Sequence, residues 1–341
     1  MSKFTRSTII NKLSELGHQL VNPNNQLSEI IQEECHYNAW FTPDSVLEAV
    51  TSIGKMLNEN DLESWLGKYS PMQNITPKKV GLVLAGNIPL VGFHDVLCVL
   101  VSGNYALIKA STQDGRLIKF ILQMLVNIDK SFKDQFSFVD RLENFDAVIA
   151  TGSNNSSRYF DYYFGKVPNT IRKNRNSIAL LTGDETADQL YSLGRDIFDY
   201  YGLGCRNVSK LFVPKGYDFN FFFESIERYK HIIHHHKYNN NYDYNKSIYL
   251  VNSDKHFDNG FLLVKEDERM ASPLAVLFYQ YYYDLPSALE LVKEQSDKIQ
   301  CVVSNLPLQI TNQVVDFGKS QQPALWDYAD GIDTMAFLLA V

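Results

Sequence analysis

The feature that most constrains the fold is a series of short, continuously apolar segments that alternate with helix-like segments from residue 80 onward. Each of these apolar runs ends in a turn rich in glycine or polar residues. The runs cover residues 80–85, 105–109, 146–151 and 177–181. Because apolar strands that alternate with helices are typical of a parallel sheet covered on both faces, we predict an α/β fold. Ligands bind beyond the carboxyl ends of such strands.

The pattern changes along the chain in a way that predicts two domains. Apolar residues recur at helical spacing through residues 1–70, before the strand pattern begins. We expect a domain boundary near Tyr201, where a helix ends in a glycine-rich turn. Beyond it the sequence predicts strands at 209–213, 247–251 and 274–279, a helix at 288–295, and an exposed loop or insertion at 231–245.

Composition excludes several classes of protein. A chain of 341 residues with 45% hydrophobic and 21% charged residues is neither disordered nor a small disulfide scaffold. Its diffuse net charge of −7 argues against a protein that binds nucleic acid by neutralising phosphates. The most apolar window, residues 80–101, contains Asn87, Pro89, His94 and Asp95, so we expect no membrane span. We therefore expect a soluble, cytoplasmic protein.

Four widely spaced cysteines suit a reducing compartment, and one of them is the strongest candidate for chemistry. Cys98 and Cys301 lie in apolar runs and are expected to be core residues, while Cys35 lies on a helix and implies no chemistry. Cys205 follows a helix and lies between Gly204 and Arg206, and a guanidinium neighbour favours the reactive thiolate. The alternative is that Cys205 is a small buried residue, as most free cysteines are.

Two polar side chains stand at the ends of predicted strands. Asn87 follows the first strand, where its amide could donate to a developing oxyanion; the alternative is that it caps a helix that begins at Pro89. Lys109 ends the second strand, where it could reach a ribose or a phosphate; the alternative is a solvated lysine.

Two further motifs give weaker signals. Gly152 and Ser153 follow the third strand and could bring backbone N–H groups close to a pyrophosphate, although GxGxxG is absent. The histidines His231, His234, His235 and His236 have spacings that could place imidazoles on one helical face. No carboxylate or cysteine accompanies them, so we expect a surface cluster and no metal site.

Taken in order, these segments resemble the aldehyde dehydrogenase superfamily, and more closely its acyl-CoA reductase (LuxC-like) branch. The resemblance runs from about residue 80 to the C-terminus. It is carried by VGLVLAGNIPL at 80–90, GNYALIK at 103–109, TGS at 151–153, Gly204–Cys205, and DYADGIDTM at 327–335.

The resemblance implies a Rossmann-type parallel-sheet cofactor domain and a smaller α/β catalytic domain. It divides the chain into an N-terminal helical segment (1–75), a dinucleotide-binding domain (76–200), a catalytic cysteine domain (201–315) and a C-terminal segment that returns to the core (316–341). It assigns catalysis to Cys205 and Asn87, with Cys205 as the nucleophile and Asn87 as the oxyanion donor. The implied cofactor contacts are Gly86, Lys109, Thr112, Gly152, Ser153, Gly183 and Glu268.

Three positions depart from the superfamily's pattern. Leu180 replaces the glutamate that activates water, which should slow hydrolysis of an acyl-enzyme. Thr112 replaces a glutamate that grips the ribose 2′-hydroxyl, so NADPH is acceptable as well as NADH. Glu268 is the nearest candidate for the glutamate that holds the nicotinamide ribose.

The resemblance implies NAD(P)H-dependent reduction of a long-chain fatty acyl-CoA to an aldehyde through a cysteine acyl-enzyme. The alternatives are a CoA-acylating aldehyde dehydrogenase that works in the oxidative direction, a non-catalytic cofactor-binding partner of an acyl-activating enzyme, and an acyltransferase that uses Cys205. The expected partner is an acyl-CoA or an acyl group on a carrier. A homo-oligomer and an acyl-activating enzyme partner stay open, as does the choice between NADPH and NADH.

Overall fold

The computed structural model describes residues 5–69 and 76–341, and the chain forms two compact units. The first unit runs to Asn174 and also contains Ala324–Val341, and the second is Arg175–Pro323. The predicted limit of the N-terminal helical segment, residue 75, lies outside the described residues. None of the helices in the described ranges is long and apolar enough to cross a bilayer.

Four helices open the first unit, as the periodicity predicts. They are α1 (Arg6–Val21), α2 (Asn25–Glu33), α3 (Pro43–Met56) and α4 (Glu59–Gly67). Thr5, Asn24 and Asn58 cap three of them, because each side chain accepts a hydrogen bond from a backbone N–H in the first turn. Proline at the first position of α3 supplies a fixed helical φ.

A five-stranded parallel sheet follows, which confirms the predicted α/β class. Its strands are β1 (Lys79–Val83), β2 (Tyr105–Lys109), β3 (Phe136–Phe138), β4 (Ala147–Thr151) and β5 (Asn169–Arg172), in the order β3-β2-β1-β4-β5. The helices of this region are α5 (Phe93–Val101), α6 (Gly115–Ile128) and α7 (Asn154–Phe164). The register pairs Val83 with Lys109 and with Ala150, so β1, β2 and β4 end at the same edge of the sheet.

The second unit contains a seven-stranded sheet. Its strands are β6 (Asn176–Leu180), β7 (Val208–Pro214), β8 (Phe257–Asp258), β9 (Leu263–Glu266), β10 (Val276–Tyr282), β11 (Ile299–Val303) and β12 (Gln313–Val315). Their order is β12-β11-β6-β7-β10-β9-β8, and β8 alone is antiparallel to its neighbour. The helices of this unit are α8 (Ala187–Phe198), α9 (Phe219–Ile226), α10 (His236–Val251) and α11 (Leu285–Glu294).

The fourth predicted strand exists, but it belongs to the second sheet. β6 pairs with β7 and β11, so the compact units divide after Asn174, whereas the sequence suggested a boundary near Tyr201. A continuously apolar strand shows that it is buried on both faces, but not which sheet buries it.

Two predictions for the second unit are wrong. The strand expected at 247–251 is the end of α10, and most of the loop expected at 231–245 is helical, first as a 3-10 turn and then as α10. The buried side of α10 consists of Tyr238, Tyr242, Asn245 and Tyr249. These residues recur at helical spacing, but tyrosine and asparagine do not read as an apolar stripe.

The C-terminal segment packs into the first unit from Ala324 onward, and α12 (Thr334–Ala340) ends it. Trp65 Nε1 donates to the Tyr328 hydroxyl at 2.6 Å, and the Tyr69 hydroxyl donates to Asp333 at 2.9 Å. The side chain of Leu325 lies in the apolar core of this unit. The predicted return to the core therefore begins eight residues later than residue 316, because Ser320 and its neighbours pack in the second unit.

Candidate functional site

The turn after β1 presents Asn87 at the carboxyl edge of the first sheet. Asn87 is exposed, whereas Gly86 before it is buried, and a Cβ added to Gly86 would lie only 2.5 Å from the Ser111 Cβ. Only glycine therefore fits this close approach. The helix that follows begins at Phe93, with Gly92 at its N-cap, so Asn87 does not serve as the helix cap.

Two other predicted cofactor residues lie at the same edge. Lys109 ends β2 and is exposed, and its Nζ donates to the Asp140 carbonyl oxygen at 2.9 Å. Thr112 is also exposed, in the turn that leads to α6. The parallel register with β1 places Lys109 beside Val83, at the end of the strand that leads to Asn87.

The third turn at this edge joins β4 to α7. The Ser153 Oγ caps α7 by accepting from the Ser156 N–H at 3.2 Å. A Cβ on Gly152 would lie 2.7 Å from a ring carbon of Phe160, so this turn also needs glycine. A helix N-terminus that follows a glycine turn is a suitable place for the phosphates of a dinucleotide. The first sheet thus gathers Gly86, Asn87, Lys109, Thr112, Gly152 and Ser153 at one edge.

Cys205 lies in the second unit, on a turn fixed by side chains. Asn207 Oδ1 accepts from the Gly204 N–H at 2.8 Å, and the Asn207 N–H donates to the Gly204 carbonyl at 3.1 Å. The Ser177 hydroxyl donates to the Cys205 carbonyl at 3.1 Å. Because these hydrogen bonds hold the backbone, the Cα atom that carries the half-buried Cys205 side chain has a fixed position.

The chain enters this turn through strained backbone. Tyr200 and Tyr201 both have left-handed conformations, with φ of 53° and 59°, and Gly202 follows with φ of 78°. Such conformations in non-glycine residues cost free energy and cluster at functional sites. The ring centroids of Tyr201 and His235 are 4.3 Å apart, and Asn207 Nδ2 donates to the Asp199 carbonyl at 2.8 Å. Neighbouring groups therefore support the strained segment.

Arg206 does not have the role predicted from its place beside Cys205. Its guanidinium is buried and donates to the Ser320 carbonyl and, at 2.6 Å, to Gln313 Oε1. The arginine therefore holds the second unit together. The expectation that it supports the Cys205 thiolate is not borne out by these contacts.

Two of the other cysteines are buried, and one histidine of the cluster caps a helix. Cys98 and Cys301 are buried, as predicted, and Cys35 is half-buried. His235 Nδ1 accepts from the Tyr238 N–H at 3.3 Å at the start of α10. In the parts of the chain that the structure describes, no three His, Cys, Asp or Glu side chains are grouped as metal ligands.

The turn after β6 contains a carboxylate that the sequence analysis missed. Leu180, which the resemblance places where the superfamily has its general base, is completely buried. Gly183 has φ of 90° and an exposed position. Glu185 is buried and accepts from the Thr182 and Gly183 N–H groups at 2.6 and 3.0 Å, so its carboxylate holds this turn. The sequence signal that could have revealed Glu185 was the triplet GDE, which follows an apolar strand.

Lys210 is a second residue that the sequence analysis missed. It lies in β7 with only 1% of its surface exposed, and its Nζ donates to the Glu268 carbonyl at 2.9 Å and to Gln280 Oε1 at 2.7 Å. Burial lowers the pKa of Lys210 to about 8. Lys210 thus fixes the backbone of Glu268, whose side chain is exposed. The signal was a lone lysine inside an apolar strand.

The sequence model of the family described as "Acyl-CoA reductase (LuxC)" matches residues 12–216. This match covers more than half of the chain and includes both Asn87 and Cys205. No curated protein sequence matches the chain.

Solved structures of aldehyde dehydrogenases share the fold. Aldehyde dehydrogenase 21 from Physcomitrella patens, solved with succinate, is 13% identical, with a TM-score of 0.70 over 100% of this chain and 85% of that one. The indole-3-acetaldehyde dehydrogenase AldA from P. syringae, solved with NAD+ and IAA, is 10% identical, with a TM-score of 0.68 over 92% and 77%. A NAD-dependent aldehyde dehydrogenase from Sinorhizobium meliloti is 11% identical, with a TM-score of 0.65 over 90% and 72%. At these identities the likeness concerns the fold.

Proposed function

This chain belongs to the acyl-CoA reductase (LuxC) family, and we propose that it reduces a fatty acyl-CoA to an aldehyde with NADPH or NADH. The observation that carries the proposal is the turn of Cys205, which the Asn207 side chain and the Ser177 hydroxyl hold in place. A thiol on a fixed turn that follows strained backbone suits a nucleophile better than a packing residue.

The first step is acyl transfer to the enzyme. The Cys205 thiolate attacks the thioester carbonyl, a new S–C bond forms, and the carbon–sulfur bond to CoA breaks. The CoA thiolate leaves and takes up a proton from solvent. The Asn87 amide and the Cys205 N–H donate to the oxyanion of the tetrahedral intermediate. The enzyme is left with an acyl group in thioester linkage to Cys205.

The first sheet's edge suits a dinucleotide, because the glycine turn after β4 leads into the N-terminus of α7, where backbone N–H groups can hold a phosphate. Lys109, Thr112 and Ser153 would hold the adenosine ribose and the phosphates, while Gly183 and Glu268 would contact the nicotinamide side. When bound, the reduced dinucleotide supplies a hydride to the acyl carbon. The neutral Thr112 removes repulsion against a 2′-phosphate, which favours acceptance of NADPH.

The acyl-enzyme must survive long enough to be reduced. Leu180 is completely buried at the end of β6, so this position offers no carboxylate to activate water. Collapse of the reduced adduct then breaks the S–C bond, returns the Cys205 thiolate and releases the aldehyde.

The test is aldehyde formation by the purified protein with acyl-CoAs of different chain lengths and with NADPH or NADH. Asn87→Ala removes one oxyanion donor, worth roughly 2.7–4 kcal/mol, so turnover should fall by about 100- to 1000-fold. Cys35→Ala, at a half-buried cysteine outside the site, should leave turnover unchanged. Faster conversion of aldehyde and CoA into acyl-CoA would favour the oxidative direction, and acyl transfer without dinucleotide would favour an acyltransferase.

A further inference from the structure

A buried carboxyl group lies directly beneath the turn that carries Asn87. Asp114 precedes α6 and is only 4% exposed, although it is an aspartate five residues after the end of β2. Its side chain makes no capping hydrogen bond to α6, the ordinary use of an aspartate at this position. Its role must therefore be sought in its other contacts.

Asp114 bonds to the turn after Asn87 and lies close to the turn before Asn87. Its Oδ2 accepts from the Leu90 N–H at 2.8 Å, three residues after Asn87. On the other side, its Cβ lies 3.3 Å from the place of a Cβ on Gly86. Leu90 itself has a left-handed backbone with φ of 58°, a conformation that a neighbouring contact must stabilise.

The burial of this carboxyl group is costly for the fold. Burial raises the pKa of Asp114 well above its ordinary value, and its Oδ1 has no hydrogen-bond partner among residues 5–69 and 76–341. The hydrogen bond from the Leu90 N–H is thus the main polar contact that offsets the cost of burying this carboxyl group. Helix capping does not explain why an aspartate is buried at this position, whereas its hydrogen bond to the 86–90 turn does.

We propose that Asp114 is a positioning residue that holds the 86–90 turn in the conformation from which the Asn87 amide reaches the oxyanion. The proposal rests on the proposed function, because it acts through Asn87. What the turn needs is an oxygen acceptor of the right length rather than a negative charge. The substitution Asp114→Asn keeps that acceptor through the amide oxygen, whereas Asp114→Ala removes it.

The first experiment is hydrogen exchange, measured by mass spectrometry on the full chain without substrate. Asp114→Ala should speed exchange of the backbone amides in residues 86–92 by about tenfold or more, and Asp114→Asn should leave them close to the wild-type rate. Asp44→Ala, at an aspartate of α3 far from this turn in sequence, is the control and should change neither. Unchanged exchange in Asp114→Ala would overturn the proposal, whatever reaction the protein catalyses.

The second experiment is a double-mutant cycle on the rate of Cys205 acylation by acyl-CoA. Asp114→Ala alone should slow acylation by roughly 10- to 100-fold, as expected for a misplaced catalytic group. In a chain that already carries Asn87→Ala, it should slow acylation by no more than about threefold. Asp114→Asn should restore the rate. Equal effects in both backgrounds, or no rescue by asparagine, would show a merely structural role and overturn the proposal.

The two experiments separate failure of this inference from failure of the proposed function. If the wild-type protein is never acylated but the exchange pattern holds, the reaction is wrongly assigned and the tie between Asp114 and the turn stands. If acylation occurs and the cycle is additive, the reaction stands and Asp114 is not a positioning residue.

Discussion

Replacing Arg172 with methionine should destabilise the first unit strongly, because Arg172 is one half of a buried ion pair. Its Nη1 lies 2.5 Å from Asp95 Oδ2, and both side chains are 6% exposed. Its Nη2 donates to the Thr334 hydroxyl at 2.9 Å. The one guanidinium therefore joins β5, α5 and α12.

The expected magnitude follows from what the substitution leaves behind. Methionine leaves the Asp95 carboxylate buried without its partner, which costs about 3–5 kcal/mol. The lost bond to Thr334 adds about 1 kcal/mol. The pair is also incompletely satisfied, since Arg172 Nε and Asp95 Oδ1 have no partner among the described residues. Replacing both residues, with Asp95→Leu and Arg172→Met together, should therefore cost about 1 kcal/mol or less.

Urea unfolding of the two variants measures both quantities. Arg141→Ala is the matched control, because Arg141 pairs with Glu143 at 3.6 Å on the surface, with 85% and 64% of the side chains exposed. Its effect should be too small to measure. A cost below about 1 kcal/mol for Arg172→Met, or a double variant as unstable as the single one, would refute the reasoning.

Three other substitutions test the account. Gly86→Ala should raise KM for the dinucleotide by forcing the turn away from Ser111, and Ser111→Gly in the same chain should restore it; no rescue would contradict the steric reason. Asn207→Ala removes the side-chain hydrogen bonds to Gly204 and Asp199, so it should lower the free energy of unfolding by roughly 2–4 kcal/mol and slow acylation of Cys205. An unchanged acylation rate would contradict the role of the turn. Burial lowers the pKa of Lys210 from 10.5 to about 8, so the unfolded chain binds the proton more tightly than the folded chain. The stability of the wild type relative to Lys210→Met should therefore rise between pH 8 and 10.5, by about 1.4 kcal/mol per pH unit. Urea unfolding at several pH values measures this difference, and a difference that stays constant with pH would contradict the prediction.

The sequence was a good guide wherever the determining signal is local. Apolar runs bounded by turns predicted β1, β2 and β4, and the rule that ligands bind at the carboxyl ends of strands led to Asn87 and Lys109. β3 and β5 were missed because both strands are short and only partly apolar. The sheet to which β6 belongs depends on distant strands, which no local pattern reveals.

The supporting residues of the candidate site could not be predicted for a similar reason. Asp114, Glu185 and Lys210 are polar residues that read as surface positions, and only tertiary contacts bury them. Arg206 shows the converse, because proximity to Cys205 in sequence suggested a role in chemistry, while its side chain bonds to Ser320 and Gln313. The side chains of two adjacent residues on a turn can point in different directions.

The central claim is that Cys205 carries the acyl group, and mass spectrometry of the protein and of its peptides tests it most directly. After mixing with an acyl-CoA, the wild-type protein should gain the mass of one acyl group on the peptide that contains Cys205. NADPH or NADH should remove that mass as aldehyde forms, and Cys205→Ala should show neither the adduct nor the aldehyde. Aldehyde formation by Cys205→Ala, or an acyl group on a different residue, would contradict the account.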